Sequence, residues 1–553
     1  MQLTGESSIW VRALRFAGAG LGGVCLASAF PDTSWAGLAW VGPALLLLAA
    51  RGASSGGRWW LGWWAGWIQH GIALHWLWEI PVRGYPILGW LALVGYLALY
   101  PAAWLGVIGW WMRAEDRWRD RLRGALAAAA WWVVLEMVQA RLLGGFPWNL
   151  LGASQYEMIP LIQIASVTGV YGLSFLVVWV SVAIYQSFWV IVRMPERRHG
   201  WLREIAVPGV VTLLLFGWGW YRVRCPAEGG RVLRVAVVQP SIPQTMIWDA
   251  SAGSNRFEVL CGLTLEALQE PVDLVIWPEG ALPGFLRYDP LVREAVAALA
   301  RSNGVWMILG GDDAGVRLSG RRTDEPDYYN AAFLVSPEGR VADVYRKMRL
   351  VMFGEYIPWF EFLPFLRWFT PITGQYTPGQ EASVFEMSLS ESASNSRAEV
   401  FSSKVRAAPL ICYEDVFPHL ARRFLPGRPD CWVNLTNDGW FGESAAQWQH
   451  AANAVFRAVE TGLPLVRCTN NGLTCWVDPW GRMRAVFRDS RGNIHGRGWA
   501  RWSVPLPDPG SANYKTLYSR YGDWWGWFCG AYVIGLSLAS WIRRKRSLTL
   551  AVS

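Results

Sequence analysis

The sequence predicts a multi-span α-helical membrane bundle that carries one inserted α/β domain. Three observations predict it. Hydrophobic residues make up 53% of the 553 and charged residues only 17%, against ~25% charged in a typical soluble chain. A mean hydropathy of +0.18 is nevertheless too low for a chain that is membrane throughout. The apolar stretches are also unevenly placed: long ones fill residues 1–221 and 524–542, and short ones alternate with Gly/Pro/Asp turns over 222–520. These features exclude a disordered chain, a collagen-like chain and an ordinary cytosolic enzyme.

Seven apolar spans precede the inserted domain, at 10–29, 33–50, 59–80, 86–112, 122–142, 166–192 and 204–221. Each is near the ~20 residues that a helix needs to cross a bilayer. An eighth, 524–542, is followed by Arg543, Arg544, Lys545 and Arg546. The domains expected are thus a bundle over 1–221, a polar domain over 222–520, and a last span with a basic tail over 521–553. With the N-terminus inside, the inside loops hold seventeen Arg and Lys and the short outside loops hold four. The positive-inside rule then puts both termini in the cytoplasm and the domain outside. Most of the basic excess behind the net charge of +9 orients helices, so a nucleic-acid partner loses its support and a lipid bilayer gains it. Arg12 and Arg15 before a run ending Ala27-Ser28-Ala29 read as a first span, because another apolar span follows at once. Trp60, Trp63, Trp64 and Trp67 fall at helical spacing and read as a packed or interfacial stripe. The Ser-rich segment 386–404 reads as a polar loop.

Within the domain, Arg234-Val-Ala-Val-Val-Gln-Pro240 reads as a buried strand. Asp273-Leu-Val-Ile-Trp-Pro-Glu279 is a second, ending in a carboxylate, and 305–311 is a third. Residues 329–335 and 340–347 read as a hairpin ending in Lys347. Ala408-Pro-Leu-Ile-Cys412 and 432–438 are two more strands. In open α/β sheets functional groups gather beyond the carboxyl ends of strands. Glu279, Lys347 and Cys412 all stand there, far apart in sequence.

Those three residue types form a coherent chemistry. A thiol is nucleophilic only as thiolate, with a free pKa near about 8.5. A carboxylate beside it can act as general base. An ammonium nearby favours the thiolate and can stabilise the oxyanion of an attacked ester or amide. The domain's histidines, His419, His450 and His495, have no setting that resembles a Cys–His pair. Asp438, Glu443 and His450 suggest no role, and Asn437 reads as a turn residue before Gly439. Taken singly, Cys412 reads as a packing residue, Glu279 as a strand-end carboxylate and Lys347 as a solvated hairpin charge beside Arg346 and Arg349.

Together the motifs say more. Trp-Pro-Glu279-Gly, Tyr-Arg-Lys347-Met-Arg-Leu-Val, Phe353-Gly-Glu355-Tyr-Ile-Pro358 and Ile-Cys412-Tyr413-Glu414 resemble the signatures of the carbon–nitrogen hydrolase (nitrilase) superfamily. Asn437-Asp438-Gly-Trp440-Phe-Gly and Arg467-Cys-Thr-Asn470-Asn471-Gly add to the likeness. With seven spans before the domain and one after, the whole chain resembles the apolipoprotein N-acyltransferases of Gram-negative bacteria. The resemblance implies a nitrilase-like αββα sandwich, with Glu279 as general base, Lys347 as oxyanion stabiliser and Cys412 as nucleophile. It implies Glu355 as a second essential carboxylate holding Lys347 and the acyl carbonyl. Tyr413 and Glu414 would shape the pocket wall, Glu414 also bearing on activity, and Trp248 would stand at the mouth. The implied reaction is ping-pong: Cys412 takes an acyl chain from a membrane phospholipid as a thioester, and the amine of a diacylglyceryl-Cys apolipoprotein then accepts it. No metal or organic cofactor is implied, and the family suggests a monomer in the bacterial inner membrane with the catalytic domain in the periplasm.

Two positions depart from the family form. Met352 stands where Pro is common before Phe-Gly-Glu, and is expected to alter the loop that carries Glu355. Gly280 follows Glu279 where Thr or Ser is frequent. Six of the eight cysteines fall on the exported side, where disulfides can form; a Cys225–Cys261 or Cys468–Cys475 pair is left open. Two other function classes compete. A membrane-tethered amidase would use the same triad with water as acceptor, but one helix would suffice to anchor it. A non-catalytic scaffold would not need Glu279, Lys347 and Cys412 together.

Overall fold

The computed structural model describes residues 9–82, 85–112, 117–224, 230–315, 326–358, 362, 375–389, 404–508 and 516–552. Arg83, Arg113, Cys225, residues 390–403 of the polar segment, and the side chains of Arg197, Arg198 and the 543–546 cluster lie outside the described residues. The chain forms two compact units. One comprises Met1–Leu77, Ile87–Cys225 and Arg520–Ser553, the other Trp78–Pro86 and Pro226–Ser519. The boundaries near 225 and 520 fall where composition changes. The loop Trp78–Pro86, which the sequence assigns to the bundle, groups instead with the α/β unit.

The helical unit has a helix at each expected span, though not always an unbroken one. Among the described residues five helices are long and apolar enough to cross a membrane: Ile9–Ser28, Ile87–Ile108, Val170–Arg193, Trp201–Arg224 and Trp524–Ile542. The span expected at 33–50 is a shorter apolar helix, Ala36–Ala49. The run 59–80 is cut at Ala73, where the helix Ser55–Ala73 gives way to a 3-10 turn at His75–Glu79. The helix Trp118–Gln139 covers the run at 122–142.

Small residues set the closest approaches in this unit. A Cβ at Gly23 would meet the Ala65 carbonyl oxygen at 2.4 Å, and one at Gly66 would meet the Ala98 Cα at 2.8 Å. Leu61, Gly62, Ala65 and Gly66 therefore form the buried face of Ser55–Ala73, as small residues do where helix backbones touch in a bilayer. The tryptophan stripe is the opposite face: Trp60 and Trp64 are exposed, and Trp67 packs edge-on against Trp90. Contacts also sort the loops. Arg51 lies over the Trp189 ring, Arg121 pairs with Glu204 at 2.6 Å, and the Trp118 indole donates to the Arg203 carbonyl. Arg141 pairs with Asp523, and the Trp524 indole donates to the Val167 carbonyl. The segments expected inside thus meet one another, as do those expected outside.

Among the described residues the α/β unit holds twelve strands in two six-stranded sheets. β1 (Arg231–Gln239), β2 (Leu274–Ile276), β3 (Trp306–Gly315), β4 (Asp327–Val335), β5 (Val341–Arg346) and the late strand β12 (Gly498–Leu506) form one sheet, in the order β12-β1-β2-β3-β4-β5. β6 (Phe385–Ser388), β7 (Lys404–Ile411), β8 (Cys431–Thr436), β9 (Leu465–Thr469), β10 (Cys475–Val477) and β11 (Met483–Val486) form the other, in the order β11-β10-β9-β8-β7-β6. The central strands are parallel, β1 to β2 to β3 and β7 to β8 to β9, with antiparallel strands outside. The ends of the polar segment 386–404 are strand rather than loop, because Glu386 and Lys404 fall within the β6–β7 ladder.

Both faces of the central strands are buried. Alternate residues Ala236, Val238, Val275 and Met307 pack on Leu260, Val292, Val296 and Ala300 of the helices Gly253–Ala267 and Pro290–Asn303. The opposite-face residues Val235, Val237, Leu274 and Ile308 are equally buried, which a half-solvated sheet would not require. Each sheet is tied to a covering helix by an indole: Trp277 donates to Thr264 and Trp432 to Thr461, both at 2.9 Å. The result is the αββα sandwich expected. Cys468 and Cys475 are free thiols, as is Cys261. Cys475 sits opposite Arg467 in the β9–β10 ladder, so the side chain of Cys468 leaves the other face and cannot reach it.

Candidate active site

The site forms where β2 and β5 of one sheet and β7 of the other end. Glu279 follows β2 after Trp277 and Pro278. β3 passes hard against it: a Cβ at Gly310 would meet the Pro278 carbonyl oxygen at 2.2 Å and the Glu279 Cα at 2.7 Å. Gly280 turns the chain away at φ +63°, a conformation glycine takes at little cost. The departure at this position therefore has a backbone reason.

Lys347 is the first residue past β5 and is 1% exposed. Its Nζ lies 3.0 Å from Glu279 Oε1 and 2.9 Å from Glu355 Oε1. Asn330 of β4 donates Nδ2 to the same two oxygens, each at 2.8 Å. The other oxygen of Glu279 accepts the Asn437 backbone N–H at 3.1 Å, and that of Glu355 accepts the Val351 N–H at 2.8 Å. Burial alone would lower the Lys347 pKa, but the two carboxylates outweigh it and hold the ammonium well above its ordinary range. Met352 does not displace Glu355. The loop closes by Glu355 N–H to Val351 O at 2.8 Å and Phe353 N–H to Tyr356 O at 2.8 Å, with Phe353 at φ 60°.

Cys412 ends β7 and opens a short 3-10 turn, Cys412–Val416, at φ 51°. This left-handed backbone costs a residue with a Cβ about 1–2 kcal/mol. Burial and then the Glu279 anion push the thiol well above its ordinary pKa, with Lys347 and a bond to Thr436 opposing. The resting group is a thiol that needs a base, and the nearby carboxylate is Glu279.

Glu414 is fully buried. Oε1 accepts the backbone N–H groups of Met348 and Arg349 at 2.7 and 3.0 Å, and Oε2 accepts that of Ile411 at 2.9 Å. Burial pushes its pKa up to about 7 against those bonds. It fastens the backbone after Lys347 to the backbone before Cys412. Tyr413 packs edge-on against Phe417 at 4.9 Å. Trp248 is 45% exposed and stands edge-on to Trp440 at 5.2 Å. It connects to the site through its turn: its N–H bonds the Gln244 carbonyl, and Asn437 donates Nδ2 to the Gln244 side chain at 2.7 Å.

Sequence reasoning overlooks Asn330 and the backbone of Asn437. Asn330 has one usable signal, a polar amide on a strand whose neighbours Ala331, Ala332 and Phe333 are all apolar. Among the described residues no cluster of His, Cys, Asp and Glu could hold a metal ion.

Comparison with known proteins adds family membership. The carbon-nitrogen hydrolase family profile matches residues 234–490, which hold all three strand-end residues. The profile of the apolipoprotein N-acyltransferase N-terminal domain matches 22–183. An apolipoprotein N-acyltransferase of Geobacter metallireducens is 34% identical over 537 residues, covering 93% of each chain. The chain belongs to the apolipoprotein N-acyltransferase family. A family protein of Azotobacter vinelandii is 34% identical over 457 residues, covering 81% of each chain. One of Allorhizobium ampelinum is 30% identical over 478 residues, covering 84% of this chain and 80% of its own. Apolipoprotein N-acyltransferase likeness thus extends across both units, and the chain is an enzyme of the carbon–nitrogen hydrolase superfamily.

Proposed function

We propose that this protein transfers an acyl chain from a membrane phospholipid, through a thioester on Cys412, to the N-terminal amine of diacylglyceryl-Cys apolipoproteins. The observation that carries the reading is the Lys347 clamp between Glu279 and Glu355, with the half-buried thiol of Cys412 close to its charge, in a chain of this family. Glu279 takes the Cys412 proton as sulfur attacks the ester carbonyl. The Lys347 ammonium faces the oxyanion, and Glu355 keeps that ammonium in place. Collapse breaks the ester C–O bond, and the leaving lysophospholipid oxygen takes the proton back from Glu279. The acceptor amine then attacks the thioester, its proton passes to Glu279, and the sulfur leaves to be reprotonated. Acyl groups and protons balance without a redox partner.

Eight membrane passages of a bacterial inner-membrane monomer complete the reading, with cytoplasmic termini and a periplasmic catalytic unit, an orientation supported by the loop charges. Trp248 and Tyr413 would border the substrate path. Incubation of the purified protein with a labelled-acyl phospholipid and a diacylglyceryl lipopeptide tests it. The expected product is triacylated lipopeptide in proportion to lysophospholipid. Free fatty acid with no lipopeptide product would identify a hydrolase instead.

A further inference from the structure

A second charged cluster, which the transfer scheme leaves unused, lies directly behind the nucleophile. His450, on the helix Ala446–Thr461, places Nδ1 2.8 Å from Asp438 Oδ1 and Nε2 2.9 Å from Asp415 Oδ1. Arg467 of β9 donates to the other oxygen of each carboxylate, at 2.9 Å to Asp415 and 2.8 Å to Asp438. All four side chains are 1% exposed or less. Buried charges persist when they are paired. Two carboxylates and Arg467 leave one negative charge, and a protonated imidazole balances it. A neutral ring has one N–H and could not donate both to Asp438 and to the Cys412 carbonyl at once. Arg467 Nη2 also approaches His450 Nδ1 to 2.7 Å, an approach of two cations that the shared Asp438 carboxylate offsets.

This cage reaches the nucleophile through its carbonyl. His450 Nε2 lies 3.3 Å from the Cys412 carbonyl oxygen, and Asn434 Nδ2 donates to the same oxygen at 3.1 Å. Asn434 is itself held by Arg467, which donates to its Oδ1 at 2.9 Å. Asp415 stands three residues past Cys412 in the same 3-10 turn. The cage thus holds the carbonyl of a nucleophile whose backbone is left-handed and the turn that follows it.

We propose that His450, charged and held between Asp415 and Asp438, is a positioning residue that fixes the Cys412 carbonyl and with it the turn presenting Sγ to the acyl donor. This deepens the acyl-transfer reading and rests on it for its kinetic readout. The titratable and charged groups facing His450 are Asp415, Asp438, Arg467 and the thiols of Cys412 and Cys475. Both thiols are pushed up by burial, Cys475 to about 12, so they stay neutral where the cage is charged. The two carboxylates raise the His450 pKa against burial and Arg467.

The test is single-turnover thioester formation with phospholipid by the full-length protein, His450→Gln and Asp438→Asn, over a range of pH. His450→Gln is expected to slow acylation ~30-fold, with the half-saturating donor concentration within ~2-fold, as misplacement of a reacting group does. Asp438→Asn keeps the side chain's shape but removes one anion, so His450 loses its proton at lower pH. Its alkaline limb is expected to move to lower pH. A folded His450→Gln acylating at the parent rate would overturn the proposal, as would an Asp438→Asn profile superimposable on the parent's. Should His450→Gln not fold, the Asp438→Asn profile decides alone. Should the parent form no thioester, the acyl-transfer reading fails, and amide hydrogen exchange over 411–416 judges the clamp. Faster exchange in the two variants supports it and unchanged exchange overturns it.

Discussion

Tyr345 and Glu414 join the two sheets: the Tyr345 hydroxyl at the end of β5 lies 2.8 Å from both carboxylate oxygens of Glu414, two residues beyond Cys412. Glu414 also takes the amides that follow Lys347. The relative position of ammonium and thiol is therefore fixed by one buried carboxylate. Glu414→Gln puts an amide N–H against those donors and is expected to cost about 1–3 kcal/mol of stability, read by thermal unfolding. Thioester formation should fall with it, whereas Tyr345→Phe removes one donor and should cost less on both counts.

Lys347 is the cation between two buried carboxylates. Lys347→Met leaves them facing each other and is expected to destabilise by about 3–5 kcal/mol while abolishing acyl transfer. Glu279→Gln with Lys347→Met should recover part of the stability and none of the activity. Lys347→Arg should not restore turnover, because a planar guanidinium cannot replace a compact ammonium between two such oxygens. Melting temperature and initial rate, measured together, separate these outcomes.

Glu279 and Cys412 yield a prediction of opposite signs. After burial, the Glu279 anion is the main influence raising the thiol pKa. Glu279→Gln removes that charge, so the pKa falls and more thiolate is present at any pH below it. Alkylation of Cys412 by iodoacetamide near pH 8 should become faster. Acyl transfer should nevertheless drop by about 10²-fold or more, because the general base is gone. Equal alkylation rates in parent and variant would remove Glu279 from the neighbourhood of the thiol.

The left-handed turn at Cys412 should be visible in stability alone. Cys412→Ala and Cys412→Gly both lack the thiol, but only glycine adopts φ 51° freely. Gly in place of Ala is expected to be more stable by about 1 kcal/mol, the strain term outweighing the entropy that glycine adds to the unfolded chain. Denaturant midpoints of the two variants measure this directly.

The strands that present Glu279 and Cys412 are legible in sequence because apolar runs end there, and the one before Lys347 because it is the second arm of a hairpin. β9 is not, since Arg467 and Thr469 interrupt its apolar pattern while being fully buried. β12 hides for the opposite reason: it is half-exposed and interleaves Trp499, Arg501 and Trp502, so no face reads as core. The helical unit is legible as apolar spans but not in its breaks. Pro101 near the Leu97–Leu99 junction and the stop at Ala73 depend on packing that periodicity does not encode. The His450 cage was beyond sequence reasoning because Asp415, Asp438, His450 and Arg467 come from four different elements. Each one alone resembles an ordinary surface charge.

The most direct test is the intact mass of the detergent-purified protein after incubation with phospholipid and no acceptor, beside Cys412→Ala. The account predicts one acyl chain added to the parent, released by hydroxylamine, and no addition to the variant. An unmodified parent that is folded and bound to lipid would contradict it, and so would an acyl adduct that persists in Cys412→Ala.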